Sequence, residues 1–484
     1  FLEDEVPRTR DALWNATELL SCGGDVVLSA TEAEAERRLR MRRNALLRDE
    51  GATFPYGSPD AFFRAKSRIE ASELFEWVRR MPKGGSLHLH LDLVGNFSWL
   101  VDQLVSDEYF DRLLVRDRGG SSFSLTFNRN ATTNATHFLE PAASYFASRD
   151  VTRDARTQIE QAIRFSPSVE DIDSYQSAQS WDRFEDMYET VFDTLNYKPL
   201  FEAYLANTLA MFRADGYSYL ELKTNFGAMY DDDGPVSIDD ELETYETARR
   251  DDLDFALIVQ VNRNDDAAVA VADLAAQLDF SLGNVSEFVA AVDMVNEEDK
   301  GHSHAYHQAV VEAAYSTYGL PVVLHGGETA YAGDTNRVRP TVWDAEVVAP
   351  AWNPLRSLEW GASRVGHNVA SAHSWLYLRY FAGSATCATV NPLSNAILRY
   401  ASDVRGHPGR AMCSARAPFA ISNDDNGALN TNPPSHDVLA AYVSWDFDLA
   451  KLKATFLDSV TPRRCAVLAN ATRLHAAGGG VFPP

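Results

Sequence analysis

The chain has 484 residues, 45% of them apolar, which is more than one ordinary domain requires and enough for a large core. Its formal net charge of -25 and pI near 4.8 repel polyanions, which excludes binding a nucleic-acid duplex through a broad basic face. No run of about 18 apolar residues occurs, so no helix is expected to span a membrane.

Thr31 to Asp49 is rich in Ala, Glu, Arg and Leu and predicts a helix anchored by Leu39, Met41, Leu46 and Leu47. Ser58-Pro59-Asp60 is a helix start signal, and a second helix is expected through Arg80. Residues 1–80 therefore read as an N-terminal helical region. Leu87 to Leu91, within 81–94, reads as the first strand of a sheet. Gly95 to Ser180 then breaks the strand–helix alternation; it is rich in Ser, Thr, Asn and Asp and reads as an inserted domain, 95–180. Alternation resumes with helical Trp181 to Asp215. Strands follow at Tyr217–Leu222, Phe255–Val261, Phe288–Met294, Val322–Leu324, Arg364–Gly366, Ala388–Asn391 and Phe419–Ser422. Eight strands alternating with helices predict an α/β fold, a parallel (β/α)8 TIM barrel whose remainder occupies 181–484.

The polar residues at the strand ends carry the chemistry. Side chains alternate along a strand, so His88 and His90 leave from one face and Asp92 lies further along it. The run Leu320 to Leu324 stops at His325-Gly326-Gly327-Glu328-Thr329, Ser363 to Gly366 at His367-Asn368, and Pro418 to Asn423 at Asp424-Asp425. A parallel barrel gathers its reactive groups at the C-terminal strand ends. Three His and one Asp there form a nitrogen- and oxygen-rich site suited to one zinc ion with room for water. Taken singly, each motif has a bland reading. The histidines can be hydrogen-bonded core residues, Glu328 a helix N-terminal carboxylate, and Asp424-Asp425 a turn.

As an ordered set these motifs resemble the adenosine/AMP deaminase superfamily. The similarity is greatest to the secreted adenosine deaminase-related growth factors, the type-two adenosine deaminases. It rests on Met81 to His90, His325 to Thr329, Arg364 to His367, Asn391-Pro392-Leu393-Ser394-Asn395 and Ser422 to Asp425. Weaker similarity spans most of the chain, including Phe62 to Lys66 and Trp181 to Phe184. The resemblance implies hydrolytic removal of the 6-amino group of a purine nucleoside. It implies one Zn2+ on His88, His90, His325 and Asp424. It makes Glu328 the proton donor to ring N1 and His367 the residue that orients the attacking water and assists its deprotonation. Asp425 would bond N7, Asp92 a ribose hydroxyl, and Trp181 would lie near the ribose. Asn296 stands where the family usually has Gly beside N3; Asn368 and Asn426 likewise replace Gly and Pro, and Gly327 replaces Ala. These departures change the substrate wall and leave the metal and acid–base positions in place.

The resemblance also implies a homodimer built through the N-terminal helices. It raises the prospect of a cell-surface receptor or glycosaminoglycan as partner of the insertion. No cysteine lies between 23 and 386, so any disulfide within that insertion is missing. Two other readings stay open: a growth-factor-like binding protein with lost catalysis, and another metal-dependent amidohydrolase. The start at Phe1 without Met fits a processed, secreted chain, as do N-x-S/T sequons at Asn15, Asn96, Asn130, Asn134, Asn284 and Asn470. For Cys22, Cys387, Cys413 and Cys465, the expected pairing joins Cys387 with Cys413, both before neighbouring late strands, and Cys22 with Cys465.

Overall fold

The structure is a computed structural model. It describes residues 12, 18–48, 54–119, 122–129, 139–150, 152–166, 172–249, 252–328, 353–461 and 465–467. Asn15, Asn130, Asn134, Asn470 and Thr329 lie outside the described residues, as do the end of the Thr31–Asp49 helix and parts of the insertion.

Eight parallel strands form the barrel: β1 (Gly84–His90), β5 (Tyr217–Thr224), β6 (Asp254–Asn262), β7 (Val289–Val295), β8 (Val323–Gly326), β9 (Arg364–His367), β10 (Cys387–Val390) and β11 (Phe419–Ile421). Two four-stranded ladders run β1-β5-β6-β7 and β8-β9-β10-β11. Single parallel bridges, Leu89 to Asp424 and Val292 to Val322, join them at both seams and close the barrel. The strands are apolar on both faces because the barrel interior is a packed core and helices cover the outside.

The strand expected first begins earlier than its apolar run suggests, because Gly84 and Gly85 are part of it. Gly84 has φ 71°, and a Cβ there would meet the Phe456 carbonyl oxygen at 2.6 Å, so only glycine fits. The preceding Lys83 is buried, and its ammonium donates to the carbonyls of Val78, Arg79 and Met81 at 2.7, 3.1 and 3.0 Å, and to that of Asp215. It thereby satisfies the carbonyl ends of two helices at once.

Two expected helices are each divided. The Ser58–Arg80 segment forms Pro59–Glu70 and Glu73–Arg80. Ser72 ends the first by bonding the Ile69 carbonyl and caps the second through the Phe75 N–H. Trp181–Asp215 forms Ser177–Leu195 and Lys198–Ala214, with Pro199 in the first turn of the second. In the helix Ala30–Leu47 only Leu39 of the four expected anchors is buried; Met41 and Leu47 are exposed. Between β1 and Ser177 lie a three-stranded antiparallel sheet in the order β3-β2-β4 (Ser122–Thr126, Leu114–Gly119, Leu139–Pro141) and the helices Phe97–Leu104, Ala142–Arg149 and Ala155–Ile163.

The disulfides differ from expectation: Cys22 bonds Cys413, and Cys387 bonds Cys465. Cys387 opens β10 at the N-terminal mouth of the barrel, where residues 465–467 cross. There the Arg364 guanidinium donates to the Cys465 carbonyl at 2.8 Å and pairs with buried Glu221, which accepts the Val467 N–H. Cys413 instead lies on the outer helix Gly409–Ser414, against the N-terminal segment, and the Cys22 N–H donates to its carbonyl. Sequence proximity to late strands did not decide which ends of the barrel the two thiols reach.

Candidate metal centre

The C-terminal strand ends meet in a cavity of about 410 Å³, within the range of about 300–1,000 Å³ usual for small-molecule sites. Every site residue named from the sequence lines it except His88, which is buried behind. Four of the residues gathered here have positive φ without being glycine: Asn296 (93°), His367 (59°), Asn368 (50°) and Asp424 (54°). Such backbone costs about 1–3 kcal/mol per residue and clusters at functional sites. Gly366 is required by contact: a Cβ there would stand 2.6 Å from Cε1 of His88.

Three imidazole nitrogens and one carboxylate oxygen converge. Nε2 of His325 lies 2.9 Å from Nε2 of His88 and 3.1 Å from Nε2 of His90. Oδ1 of Asp424 lies 3.3 Å from the former and 3.5 Å from the latter nitrogen of the β1 pair. A tetrahedral ion with bonds of about 2.0–2.2 Å needs ligand separations of roughly 3.3–3.6 Å. The outward nitrogens show which lone pairs face inward. Nδ1 of His88 faces Thr389 Oγ1 at 3.0 Å, Nδ1 of His90 faces Gln260 Oε1 at 3.1 Å, and Nδ1 of His325 faces Asp293 Oδ2 at 2.8 Å. For His88 and His90 an Nδ1–H donated to that oxygen leaves Nε2 with a lone pair aimed at the common centre. Nδ1 of His325 stands instead in ion-pair contact with Asp293 without a hydrogen bond, and its Nε2 faces the same centre with Lys223 Nζ at 3.4 Å. Burial holds all three rings well below the ordinary histidine range and therefore neutral. Oδ1 of Asp424 has no hydrogen-bond partner although buried. Bare lone pairs this close repel one another unless a cation lies between them, so the donor set fits a metal ion.

Glu328 follows β8. It lines the cavity; its Oε1 stands 3.2 Å from His367 Nε2, while Oε2 is buried without a hydrogen-bond partner. Burial, then the nearby Glu298 carboxylate, holds its carboxyl well above the ordinary range, which favours the protonated acid. Burial, then Asp424, does the same to Asp425, and burial pushes Asp92 up to about 7. Trp181 packs edge-on against Phe184 and donates its Nε1–H to the Tyr400 hydroxyl. Asn296 turns its amide back into the protein: Oδ1 accepts from the Glu297 N–H at 2.7 Å and Nδ2 donates to Asn262 at 3.2 Å.

Several members of the site were not singled out from the sequence. Asp293, at the end of β7, orients His325 and pairs with buried Lys223 at 3.1 Å. Gln260 and Thr389 orient the β1 histidines. Glu298 accepts from the Gly327 and Glu328 N–H groups at 3.0 and 2.7 Å and from Asn353 Nδ2 at 2.7 Å, which fixes the turn that carries Glu328. Each lies at or beside a strand end, the only signal the sequence offered. Polar residues at those positions are common without function.

Comparison with known proteins adds a family to this geometry. Residues 164–453 match the family model described as adenosine deaminase. The chain is 26% identical to adenosine deaminase 2 of Homo sapiens over 481 residues, covering 94% of this chain and 88% of that one. It is 25% identical to adenosine deaminase 2-A of Danio rerio over 476 residues, covering 94% and 89%. Among solved structures, Arabidopsis ADAL complexed with IMP is similar with TM-score 0.54 and 14% identity, covering 83% of this chain and 96% of that one. An amidohydrolase from Burkholderia ambifaria with bound Zn gives TM-score 0.54 and 14% identity, covering 84% and 91%. At such identity these two likenesses speak for the barrel alone.

Proposed function

Because the chain belongs to the adenosine deaminase family, in which it is a metal-dependent hydrolase of the adenosine deaminase type, we propose that it removes the 6-amino group of purine nucleosides outside the cell, with zinc as its ion. The carrying observation is the convergence of three Nε2 nitrogens and the Asp424 carboxylate beside the buried Glu328 carboxyl in one cavity. His88, His90, His325 and Asp424 would hold the ion. When bound, it lowers the pKa of a water in its shell, so that a nucleophile is available near neutral pH.

The chain's own groups do the rest. Ring N1 of an aminopurine is a proton acceptor, and Glu328, whose protonated form burial favours, offers its proton there. N7 is also an acceptor, so Asp425 can bond it only as the neutral acid, the form its burial beside Asp424 favours. Asp92 and Trp181 take the ribose side. Among the described lining residues none is Lys or Arg, whereas Asp92, Glu185 and Asp273 are acidic, which favours an uncharged nucleoside over a nucleotide. Lys223, near His325, is engaged with Asp293 at 3.1 Å and is not placed as a bridging ligand; this weighs against a two-metal amidohydrolase. Two disulfides support an oxidising, extracellular setting. Exposed Leu19, Leu20, Val27 and Met41 in the N-terminal segment support a homodimer formed through it.

The test is turnover of adenosine, 2'-deoxyadenosine, 6-substituted purine nucleosides, guanosine and AMP, with metal content measured on the same sample. One zinc per chain and turnover of at least one 6-aminopurine nucleoside, with little of AMP, is the expected result. A metal-loaded chain that deaminates none of them overturns the proposal.

A further inference from the structure

Behind β9 runs a chain of hydrogen bonds whose direction is set at its far end. The backbone N–H of Gly409 donates to Nδ1 of His407 at 3.0 Å. A backbone N–H can only donate, so Nδ1 is the bare nitrogen of that ring. Burial holds His407 down at about 3, so the ring is neutral and its one proton sits on Nε2. That Nε2–H donates to Oδ1 of Asn395 at 2.9 Å. The same bond settles the amide's orientation: its oxygen faces His407, so its NH2 faces the other way. There Nδ2 of Asn395 donates to Nδ1 of His367 at 2.9 Å. The amide of Asn391 stands further off, 3.4 Å from Nδ1 and 3.5 Å from Nε2 of the same ring. Nδ1 of His367 is thus the accepting nitrogen, and the neutral ring carries its proton on Nε2. That nitrogen faces Glu328 Oε1 at 3.2 Å and Asp424 Oδ2 at 3.8 Å.

We propose that Asn395 and His407 are positioning residues that lock His367 in its Nε2–H tautomer, so that it presents a hydrogen-bond donor, not a base, to the reaction centre. The three converging histidines have the opposite arrangement, with an oxygen behind each Nδ1. Four neighbouring imidazoles are therefore divided into three lone-pair ligands and one donor by what stands behind each ring. The relay is rigid: His407 stacks on Trp445 at 5.2 Å and 20°. A Cβ at Gly409 would strike that indole at 2.4 Å, so the N–H reaches His407 because position 409 has no side chain. The role in turnover rests on the deaminase reading; the tautomer does not.

The test uses the full-length, zinc-loaded protein labelled with 15N-histidine, with the His367 signal assigned by its loss in His367→Gln. Long-range 15N–1H correlation should show the Nε2–H tautomer at His367 in the unaltered chain. Asn395→Asp offers an acceptor at both ends, so the proton should move to Nδ1, with kcat lowered about tenfold or more and KM nearly unchanged. His407→Phe keeps the stack on Trp445 but frees the Asn395 amide to turn; it should give mixed tautomers and an intermediate kcat. A His367 that carries its proton on Nδ1 in the unaltered chain overturns the relay, whatever the activity. So does an Asn395→Asp or His407→Phe protein that retains the Nε2–H signal alone. Unchanged or raised kcat in Asn395→Asp with the tautomer reversed overturns the donor role. A chain that shows the expected tautomers but no deamination sinks the deaminase reading and leaves the relay standing.

Discussion

Glu298→Gln is the substitution whose consequences the structure works out most fully. The wild-type carboxylate accepts from the Gly327 N–H and Asn353 Nδ2 through Oε1 and from the Glu328 N–H through Oε2. Glutamine has one acceptor oxygen and must turn its NH2 toward one of these donor sets. The less costly orientation keeps the two bonds at Oε1 and leaves the Glu328 N–H facing another donor. A buried donor left unsatisfied costs about 1–3 kcal/mol, and here it belongs to the backbone of the proton donor itself. A displacement of about 1 Å at a reacting group costs on the order of 10²-fold in rate. Glu298 is also the charge that, after burial, does most to keep Glu328 protonated. The sign follows: a raised carboxyl is protonated and active below its folded pKa, and activity is lost as pH rises through it. Removing the Glu298 charge lowers that pKa, so the loss should begin at lower pH. Expected together are a stability loss of about 1–3 kcal/mol in urea and a kcat about 10- to 100-fold lower with KM nearly unchanged. The alkaline limb of the kcat profile should shift to lower pH. Wild-type kcat with an unshifted limb in a folded Glu298→Gln protein would refute the reasoning.

Glu328→Gln should retain its metal and fold but lose about 10²-fold or more in kcat, because an amide cannot protonate N1; single-turnover absorbance measurements with metal analysis check this. Chelation should abolish turnover and lower the melting temperature, and zinc should restore both. Zinc affinity should weaken as pH falls, since protons compete for the three Nε2 lone pairs; calorimetric titration across pH reads the slope. Peptide mapping without reduction should recover Cys22 with Cys413 and Cys387 with Cys465. Replacing both Cys387 and Cys465 by Ser, whose link closes a separation of 78 residues, should cost about 4–5 kcal/mol by chain entropy. Asn296→Gly relieves a positive φ but frees the Glu297 N–H and Asn262 that its amide holds. Because that amide faces the protein and not the substrate edge, the ranking of adenosine across the nucleoside panel should stay unchanged; a kcat/KM for adenosine raised about fivefold or more would make Asn296 a specificity residue after all.

Local signals in the sequence determined much of this protein. The alternation of short apolar runs with helices specified eight parallel strands. The polar residue ending each run marked where a barrel would collect its chemistry, because strand periodicity and barrel geometry are local and repetitive. That is why His88, His90, His325, His367, Glu328 and Asp424 could be named before their distances were known. Helix breaks at Ser72 and Pro199 were weaker, since one capping side chain or one proline acts against a longer apolar pattern. Other features were decided only by tertiary structure. Cys387 reaches Cys465 because the chain's late segment crosses the bottom of the barrel, a path no spacing encodes. Met41 and Leu47 are exposed because the helix that carries them presents few residues to the core. The support behind each imidazole is assembled from Thr389, Gln260, Asp293, Asn395 and His407, residues up to 301 positions away from the ring they serve. Their residue types are ordinary anywhere in a chain. The direction of each hydrogen bond exists only once the barrel has closed, and that direction makes one histidine a ligand and its neighbour a donor.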